Sequence, residues 1–242
     1  MKALVAQARA EIMLTLRRGE SVLLALGIPI GLLVFFSIVD LGFTDSTGAR
    51  HPVDFLAPGI LALAVMSTAM VSLGIATGFE RQYGVLKRLG STPLGRPRLL
   101  AAKTIAILGV ELVQLVVLVP VALLLGWSPG GGAGAAVLAV IVATVAFAGI
   151  GLCMAGALRA EVTLAAANGL YLLLLLLGGM VIPLARLPAG LRAVARLLPA
   201  AALSDILHGS LGTAASRPTA WLVLAAWAVA APVAAALSFR WE

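Results

Sequence analysis

The stretch APGILALAVMSTAMVSLGIATGF at 57–79 decides the fold, because it contains no Asp, Glu, Lys, Arg or His. A helix needs roughly 20 apolar residues to cross about 30 Å of hydrocarbon, and this stretch is long enough. The segment that follows at 80–103, ERQYGVLKRLGSTPLGRPRLLAAK, holds six of the chain's 17 Lys and Arg residues. An apolar run bordered by a basic segment predicts a membrane-spanning helix with a charged connection.

The composition of the whole chain extends this prediction. Of 242 residues, 62% are hydrophobic and 11% are charged, and the mean hydropathy is +1.10. A soluble domain of 24.6 kDa cannot bury so much apolar surface, so the composition indicates an integral membrane protein. The net charge of +7 is divided among short segments between apolar runs. A nucleic-acid-binding face requires clustered basic residues, so we expect no nucleic acid partner.

Six apolar runs have the length of a membrane-spanning helix. None alternates polar and apolar residues as the strands of a membrane barrel do, so we expect all six to be helices. The predicted fold class is therefore all-α, a polytopic membrane protein in which 1–242 form a single transmembrane domain. The first run is too long for a signal peptide and no cleavage site follows it, so we expect it to be retained. The predicted spans are 21–39, 57–79, 104–126, 135–158, 162–183 and 219–237.

Lys and Arg are distributed unevenly between the two sides of these spans. Twelve of the 17 lie before span one, between spans two and three, between spans four and five, or after span six. Cytoplasmic segments carry such an excess, so both termini and 80–103 are predicted to be cytoplasmic. Residues 1–20 have an apolar helical face and are predicted to form an interfacial helix. Residues 184–218, about 35 in number and largely apolar, predict an external, re-entrant helical hairpin.

Residues for catalysis or nucleotide binding are few. The segment GSTPLGRP at 90–97 has the glycine spacing of a phosphate-binding loop but lacks its lysine and its Ser or Thr, so we expect no ATP on this chain. His51 and His208 lie in separate predicted loops far apart in the sequence, and no cluster of Asp or Glu lies at helical spacing from either. Cys153 is the single cysteine. We therefore predict no catalytic residue, no metal and no cofactor on this chain.

Glu111 is the one carboxylate well inside a predicted span, and Gln114 lies about one turn further on. A carboxylate in lipid is costly, so Glu111 should face the bundle interior, a cavity or a partner chain. Two roles remain open for it: a group that contacts a cation or polar substrate, or a hydrogen-bonded structural group at a helix interface. Glu111, Gln114 and Asn168 are the candidate residues of a substrate pathway.

The basic segment that opens at Glu80 is the strongest functional signal. It is predicted to continue span two as a helix over 80–89, to end at Gly90 and to turn at Thr92 and Pro93. A short helix between two spanning helices would pass a motion at its end to both of them. The same charges could instead serve only to set the topology.

Phe79-Glu80-Arg81, followed by Gly84, by Thr92-Pro93 and by Lys103, resembles the loop between the second and third helices of ATP-binding-cassette (ABC) type-2 permeases. The resemblance is closest to daunorubicin-resistance-type subunits. The sequences PLARLP and LLPAAALSDIL, both within 183–207, resemble that family's external helical hairpin.

The resemblance implies the permease subunit of an ATP-driven exporter in the plasma (inner) membrane, of the kind involved in multidrug efflux and antibiotic resistance. Such a subunit moves a hydrophobic or amphipathic substrate, such as a drug or lipid, out of the cytoplasm by alternating access. The implied partners are a cytoplasmic ABC ATPase that binds ATP and Mg, a second permease protomer in a homo- or heterodimer, and membrane lipids. The substrate would pass between protomers near spans one, two and five. The implied ATPase contacts are Glu80, Arg81, Tyr83, Gly84, Leu86, Lys87, Arg88, Thr92 and Pro93.

Two other classes stay open. An ion-coupled secondary transporter would use Glu111 as its proton carrier. A small membrane-embedded enzyme acting on lipid head groups would need interfacial clusters of acids or histidines, which 10 acids and two histidines do not supply.

Overall fold

Every regular element in the described part of the chain is a helix, as the sequence predicts. The structure is a computed structural model that describes residues 9, 11–13, 17, 19–39, 51–90, 96–212 and 216–238, with backbone only at 19–24, 88–90 and 96–97. The helices are α1 (Gly19–Ile38), α2 (Pro52–Gln82), α3 (Val85–Gly90), α4 (Arg96–Leu124), α5 (Ala133–Ala157), α6 (Ala160–Leu177), α7 (Ala189–Ala195), α8 (Pro199–Leu211) and α9 (Pro218–Ser238), with a 3-10 turn at Leu184–Arg186.

Five of the described helices, α2, α4, α5, α6 and α9, are long and apolar enough to cross a membrane. The chain is therefore a multi-pass membrane protein. Helix α1 coincides with the first predicted span, 21–39, and its side chains are described from Ala25 to Ile38, an apolar stretch that is shorter than a full span. The sixth span consequently stays a prediction. The predicted interfacial helix at 1–20 lies mostly outside the described residues.

The predicted end of the fifth span, at residue 183, is wrong. Helix α6 ends at Leu177, and the backbone turns through Gly179, whose φ of +68° is unfavourable for residues with a side chain. The turn brings Met180 against α2, where a methyl group added to Gly59 would lie 1.9 Å from the Met180 carbonyl oxygen. The two adjacent glycines therefore end the helix, although leucines fill the sequence before them.

The predicted continuous helix over 80–89 is also wrong. Helix α2 ends at Gln82, and Gly84 follows with a φ of +71° before α3 begins at Val85. Glycine commonly occupies such a left-handed position just after a helix, because it has no Cβ to clash. The predicted stop at Gly90 agrees with the end of α3, and α4 begins at Arg96.

Helices α2 and α5 form the centre of the bundle. Almost every residue of Pro52–Met66 is buried, and α5 packs against α2, α8 and, most extensively, α9. A methyl group added to Gly151 of α5 would lie 2.5 Å from the Met70 carbonyl oxygen in α2. One added to Gly149 would lie 2.5 Å from the Pro232 nitrogen in α9. Glycines therefore allow the three helix backbones to touch.

Segments predicted to be external meet at one end of the bundle. Asp54 accepts hydrogen bonds from the backbone amides of His51 (3.1 Å) and Ser128 (3.2 Å), which joins the start of α2 to the α4–α5 connection. That connection is also bound to α8, because the Gly130 amide donates to the Leu211 carbonyl oxygen at 2.8 Å. Predicted cytoplasmic residues such as Glu80 and Lys103 meet at the other end. Which end faces the cytoplasm stays a prediction.

Two short helices, α7 and α8, lie within the predicted hairpin 184–218, and its external, re-entrant position stays a prediction. Helix α8 is largely buried and packs against α2, α5 and α9. His208 holds it to α2, because its Nε2 lies 2.9 Å from the Phe55 carbonyl oxygen. An ion pair of 3.1 Å between Asp205 and Arg217 connects α8 to the residue before α9.

Candidate functional site

The residues after α2 present a small exposed surface at the predicted cytoplasmic end. Tyr83 is 71% exposed and Val85 is 40% exposed, and Lys87 is exposed beside them. We call these three residues the exposed tip. Leu86, predicted to belong to the same surface, is instead fully buried. It therefore fixes α3 to the bundle and is not available to another protein in this conformation.

A buried ion cluster lies directly beside the exposed tip. The Lys103 ammonium is 2.6 Å from a Glu80 carboxylate oxygen and 2.9 Å from a Glu11 carboxylate oxygen, and Lys103 is only 1% exposed. A buried ammonium requires such partners, because an uncompensated charge out of water is very costly. Ile12 packs on the same helix, since a methyl group added to Gly109 would lie 2.8 Å from its Cδ1. The cluster therefore holds together the N-terminal segment, α2 and α4.

Arg81 binds the carboxyl-terminal end of α5. Its guanidinium donates hydrogen bonds to the carbonyl oxygens of Gly156 and Leu158, the latter at 2.8 Å. The last carbonyls of a helix lack partners within the helix and carry partial negative charge, so a cation is favourable there. The next residue, Gln82, donates to the Glu161 carboxylate in the first turn of α6 at 2.8 Å. The predicted ATPase contact Arg81 therefore has an intramolecular role.

A cavity of about 670 Å³ opens between α1, α2 and α4. Its walls are mostly apolar, and its charged end is formed by Glu11, Glu80 and Lys103. Tyr83 and Val85 of the exposed tip also line it. The cavity thus combines apolar walls with a polar end that lies next to the tip.

The α2 wall of this cavity is a π-helical segment, Ser67–Ser72, within the longer α-helix. Ser67, Val71 and Ser72 line the cavity. Single-turn π segments inside α-helices occur frequently at functional sites. The segment therefore places two hydroxyl groups in an otherwise apolar wall.

Gln114, a predicted pathway residue, holds α1 to α2 behind this wall. It accepts a hydrogen bond from the Thr68 hydroxyl at 3.0 Å and donates one to the Ala25 carbonyl oxygen at 2.9 Å. The Ala25 carbonyl lacks its usual helical donor, because that donor would be the amide of Pro29, and proline has no N–H. Gln114 supplies the missing donor. Its side chain is 3% exposed, and both its oxygen and its nitrogen are hydrogen-bonded within the protein.

The other two pathway candidates lie apart from the cavity. Glu111 is 1% exposed, and its Oε2 lies 2.5 Å from the Thr144 hydroxyl of α5. Its Oε1 has no hydrogen-bond partner among the described residues. Asn168 lies on the exposed side of α6 and donates to the Leu164 carbonyl oxygen at 2.9 Å. The structure therefore does not bring Glu111, Gln114 and Asn168 together into one site.

Several functional features were missed from the sequence. The sequence indicates Lys103 only as part of the family motif, and it predicts neither the pairing of Lys103 with Glu11 nor the cavity. The signal available was a lysine among apolar residues, which requires a partner. Thr92 and Pro93 lie outside the described residues, as does the Arg88 side chain. Within the described ranges, no three His, Cys, Asp or Glu side chains lie close enough to share a metal ion.

Comparison with protein families gives a single assignment over most of the chain. Residues 2–211 match the family model described as ABC-2 type transporter. No curated protein matches the chain. The matched range includes the exposed tip, the ion cluster, the cavity and both short helices. The chain therefore belongs to the ABC-2 type transporter family and is the membrane-spanning permease subunit of an ABC transporter.

Proposed function

We propose that this permease works in an exporter of the plasma membrane and moves a hydrophobic or amphipathic substrate, such as a drug or lipid, out of the cytoplasm. A separate ABC ATPase would bind ATP and Mg and would contact the exposed tip. The observation that carries the proposal is the position of that tip. Tyr83 and Val85 face solvent and at the same time line a cavity that reaches between three helices.

The shape and chemistry of the cavity support an amphipathic substrate. Its walls come mainly from residues such as Ile28, Leu73 and Ile107, whereas its charged end holds Glu80 and Lys103. Apolar walls with a few placed polar groups are typical of small-molecule sites. A molecule with an apolar body and a polar end would match both parts of this cavity.

A second protomer is supported by the exposed surface of α6. Asn168 lies at the middle of this apolar helix with its side chain exposed, beside the exposed Gly169. An amide at this depth is costly in lipid, and small residues allow close helix contact, so another helix is a better neighbour than lipid. We propose that α6 contacts a second permease protomer, in a homo- or heterodimer.

The proposal is tested by co-expressing the permease with its cognate ATPase and measuring co-purification and ATP hydrolysis. Tyr83→Ser combined with Lys87→Glu changes two exposed tip residues. We expect the double variant to lose ATPase binding while its thermal unfolding in detergent stays close to wild type. Arg196→Glu is the matched control, because it reverses an exposed positive charge on the 184–218 hairpin.

Binding of the ATPase by the double variant at the wild-type level would contradict docking at the exposed tip. Equal loss of binding in the Arg196→Glu control would show that the effect is one of net charge, and it would equally contradict that docking position. Transport in proteoliposomes that is driven by a pH gradient, without ATP or ATPase, would contradict the proposal and would indicate an ion-coupled transporter.

A further inference from the structure

Three consecutive residues at the end of α2 bind three different parts of the bundle. Glu80 pairs with Lys103 of α4, Arg81 donates to the last carbonyls of α5, and Gln82 donates to Glu161 of α6. Successive residues of an α-helix point about 100° apart, so three of them can reach neighbours on different sides. We call Glu80, Arg81 and Gln82 the α2 anchor.

The three contacts differ in strength but all cross between helices. The Glu80 contact involves an ammonium that is almost completely removed from water, and buried pairs are costly to break. The Arg81 contact is charge-assisted and involves two carbonyl oxygens at once, which limits the orientation of the guanidinium. The Gln82 contact is exposed, so we expect it to be the weakest.

The α2 anchor is adjacent in sequence to the exposed tip. Tyr83 follows Gln82 directly, and the left-handed Gly84 then turns the chain into α3. The fully buried Leu86 fixes α3 from the other side. The tip therefore begins directly after the anchor, and a displacement of the tip reaches the anchor without an intervening flexible loop.

From this juxtaposition we infer that the α2 anchor transmits displacement of the exposed tip to α4, α5 and α6 through separate side chains: Glu80 acts on α4, Arg81 on α5 and Gln82 on α6. The three are positioning residues, and the inference rests on the proposed docking of an ATPase at the tip. Glu80 and Lys103 also form the charged end of the cavity, so a shift of the anchor changes that end of the cavity at the same time.

The experiment uses the full-length permease in complex with its cognate ATPase, with Cys153, the one native cysteine, replaced by Ser. A single reporter cysteine is placed either at Ala101, exposed in the first turns of α4, or at Ala157, exposed at the end of α5. Maleimide labelling rates are measured with and without ATP plus vanadate. In the otherwise wild-type complex, we expect the rate at both reporters to change.

Each anchor variant should remove the response of its own helix only. Glu80→Ala deletes the contact with α4 while Lys103 keeps Glu11, so the response at Ala101 should be lost and that at Ala157 retained. Arg81→Met keeps the apolar stem but loses both hydrogen bonds, so the response at Ala157 should be lost and that at Ala101 retained. Arg81→Lys, which keeps the charge, should restore part of the Ala157 response.

A merely structural role would reduce both responses together or neither. Retention of both responses in Glu80→Ala and Arg81→Met would therefore overturn the inference, as would loss of both responses in either variant. Co-purification of the ATPase with each variant shows that docking at the tip is intact. If ATP and vanadate change neither reporter in the wild-type complex although the ATPase is bound, the proposed coupling fails and the inference fails with it.

Discussion

The clearest quantitative prediction concerns the polar contact between α1 and α4. Gln114→Leu removes the donor to the Ala25 carbonyl oxygen and the acceptor of the Thr68 hydroxyl, at nearly constant side-chain volume. Hydrogen bonds between membrane helices contribute about 0.6 kcal/mol on average and about 1.7 kcal/mol at most. An unsatisfied buried partner costs about 1–3 kcal/mol. We therefore expect the variant to lose about 1–2 kcal/mol of unfolding free energy.

Pro29 makes this prediction specific. Pro29→Ala restores the backbone N–H that would bond the Ala25 carbonyl within α1, so Gln114 is no longer the only available donor. In the Pro29→Ala background, Gln114→Leu should cost less by about 1 kcal/mol, because only the Thr68 contact remains to be lost. The Thr68 hydroxyl can then turn to a carbonyl of its own helix.

The assay is a double-mutant cycle on the purified permease, with thermal or denaturant unfolding followed in detergent. For a chain of this length, 1 kcal/mol corresponds to about 2–4 °C in Tm. Thr104→Val is the matched control: it removes a side-chain hydrogen bond to the Leu100 carbonyl, which keeps its helical donor. An equal cost of Gln114→Leu in both backgrounds would refute the assignment of Gln114 as the substitute donor.

Three further predictions follow from other contacts. Gly151→Ala should cost about 1–3 kcal/mol of unfolding free energy, because the added methyl group would lie 2.5 Å from an α2 carbonyl oxygen. Gly134→Ala is the control and should cost less than about 0.5 kcal/mol, because nothing lies within 4 Å of a methyl group added there. Glu111→Gln should change the unfolding free energy by less than about 1 kcal/mol and keep ATP-driven transport, because an amide can keep the contact with the Thr144 hydroxyl. Loss of transport in a normally folded variant would instead assign Glu111 a role in the substrate pathway. Burial lowers the pKa of His208 from its ordinary value of 6.5, against the opposing effects of hydrogen bonds to two carbonyl oxygens and of the nearby Asp205. The unfolded chain therefore binds more protons than the folded chain below pH 6.5, so Tm should fall as the pH is lowered from about 7.5 to about 5. His208→Gln should make Tm depend less on pH. A variant whose Tm falls as steeply as that of the wild type would contradict the role of His208.

The spanning helices could be predicted closely because their signals are local. The observed helix Ala133–Ala157 differs by one or two residues from the predicted 135–158, and Pro218–Ser238 differs by one residue from 219–237. Apolar length alone sets such boundaries when proline or charged residues follow. The errors fell at Gly84 and Gly179, where a left-handed glycine ends a helix whose apolar or amphipathic pattern continues. A pattern of side chains does not reveal the backbone angle that a glycine adopts.

The candidate site was predictable only in part. The exposed Tyr83 and Lys87 agree with the expected surface, but Leu86 lies inside the bundle and Arg81 binds α5. The α2 anchor contacts residues distant in the chain, and the sequence shows only that polar residues lie near the end of an apolar run. A polar side chain at such a position must find a partner, but its local pattern does not specify which one.

The membrane class, the all-α architecture and the family follow from the amino-acid sequence, because these depend on apolar length, charge distribution and short motifs. Tertiary structure alone decided which polar groups meet. Lys103 pairs with Glu80 and Glu11, 23 and 92 positions away, and Gln114 binds the Ala25 carbonyl 89 positions away. The physical reason is that each helix can bury any of several faces. Close packing at Gly74 and Gly151, together with the π-helical segment Ser67–Ser72, helps to select the faces that come into contact.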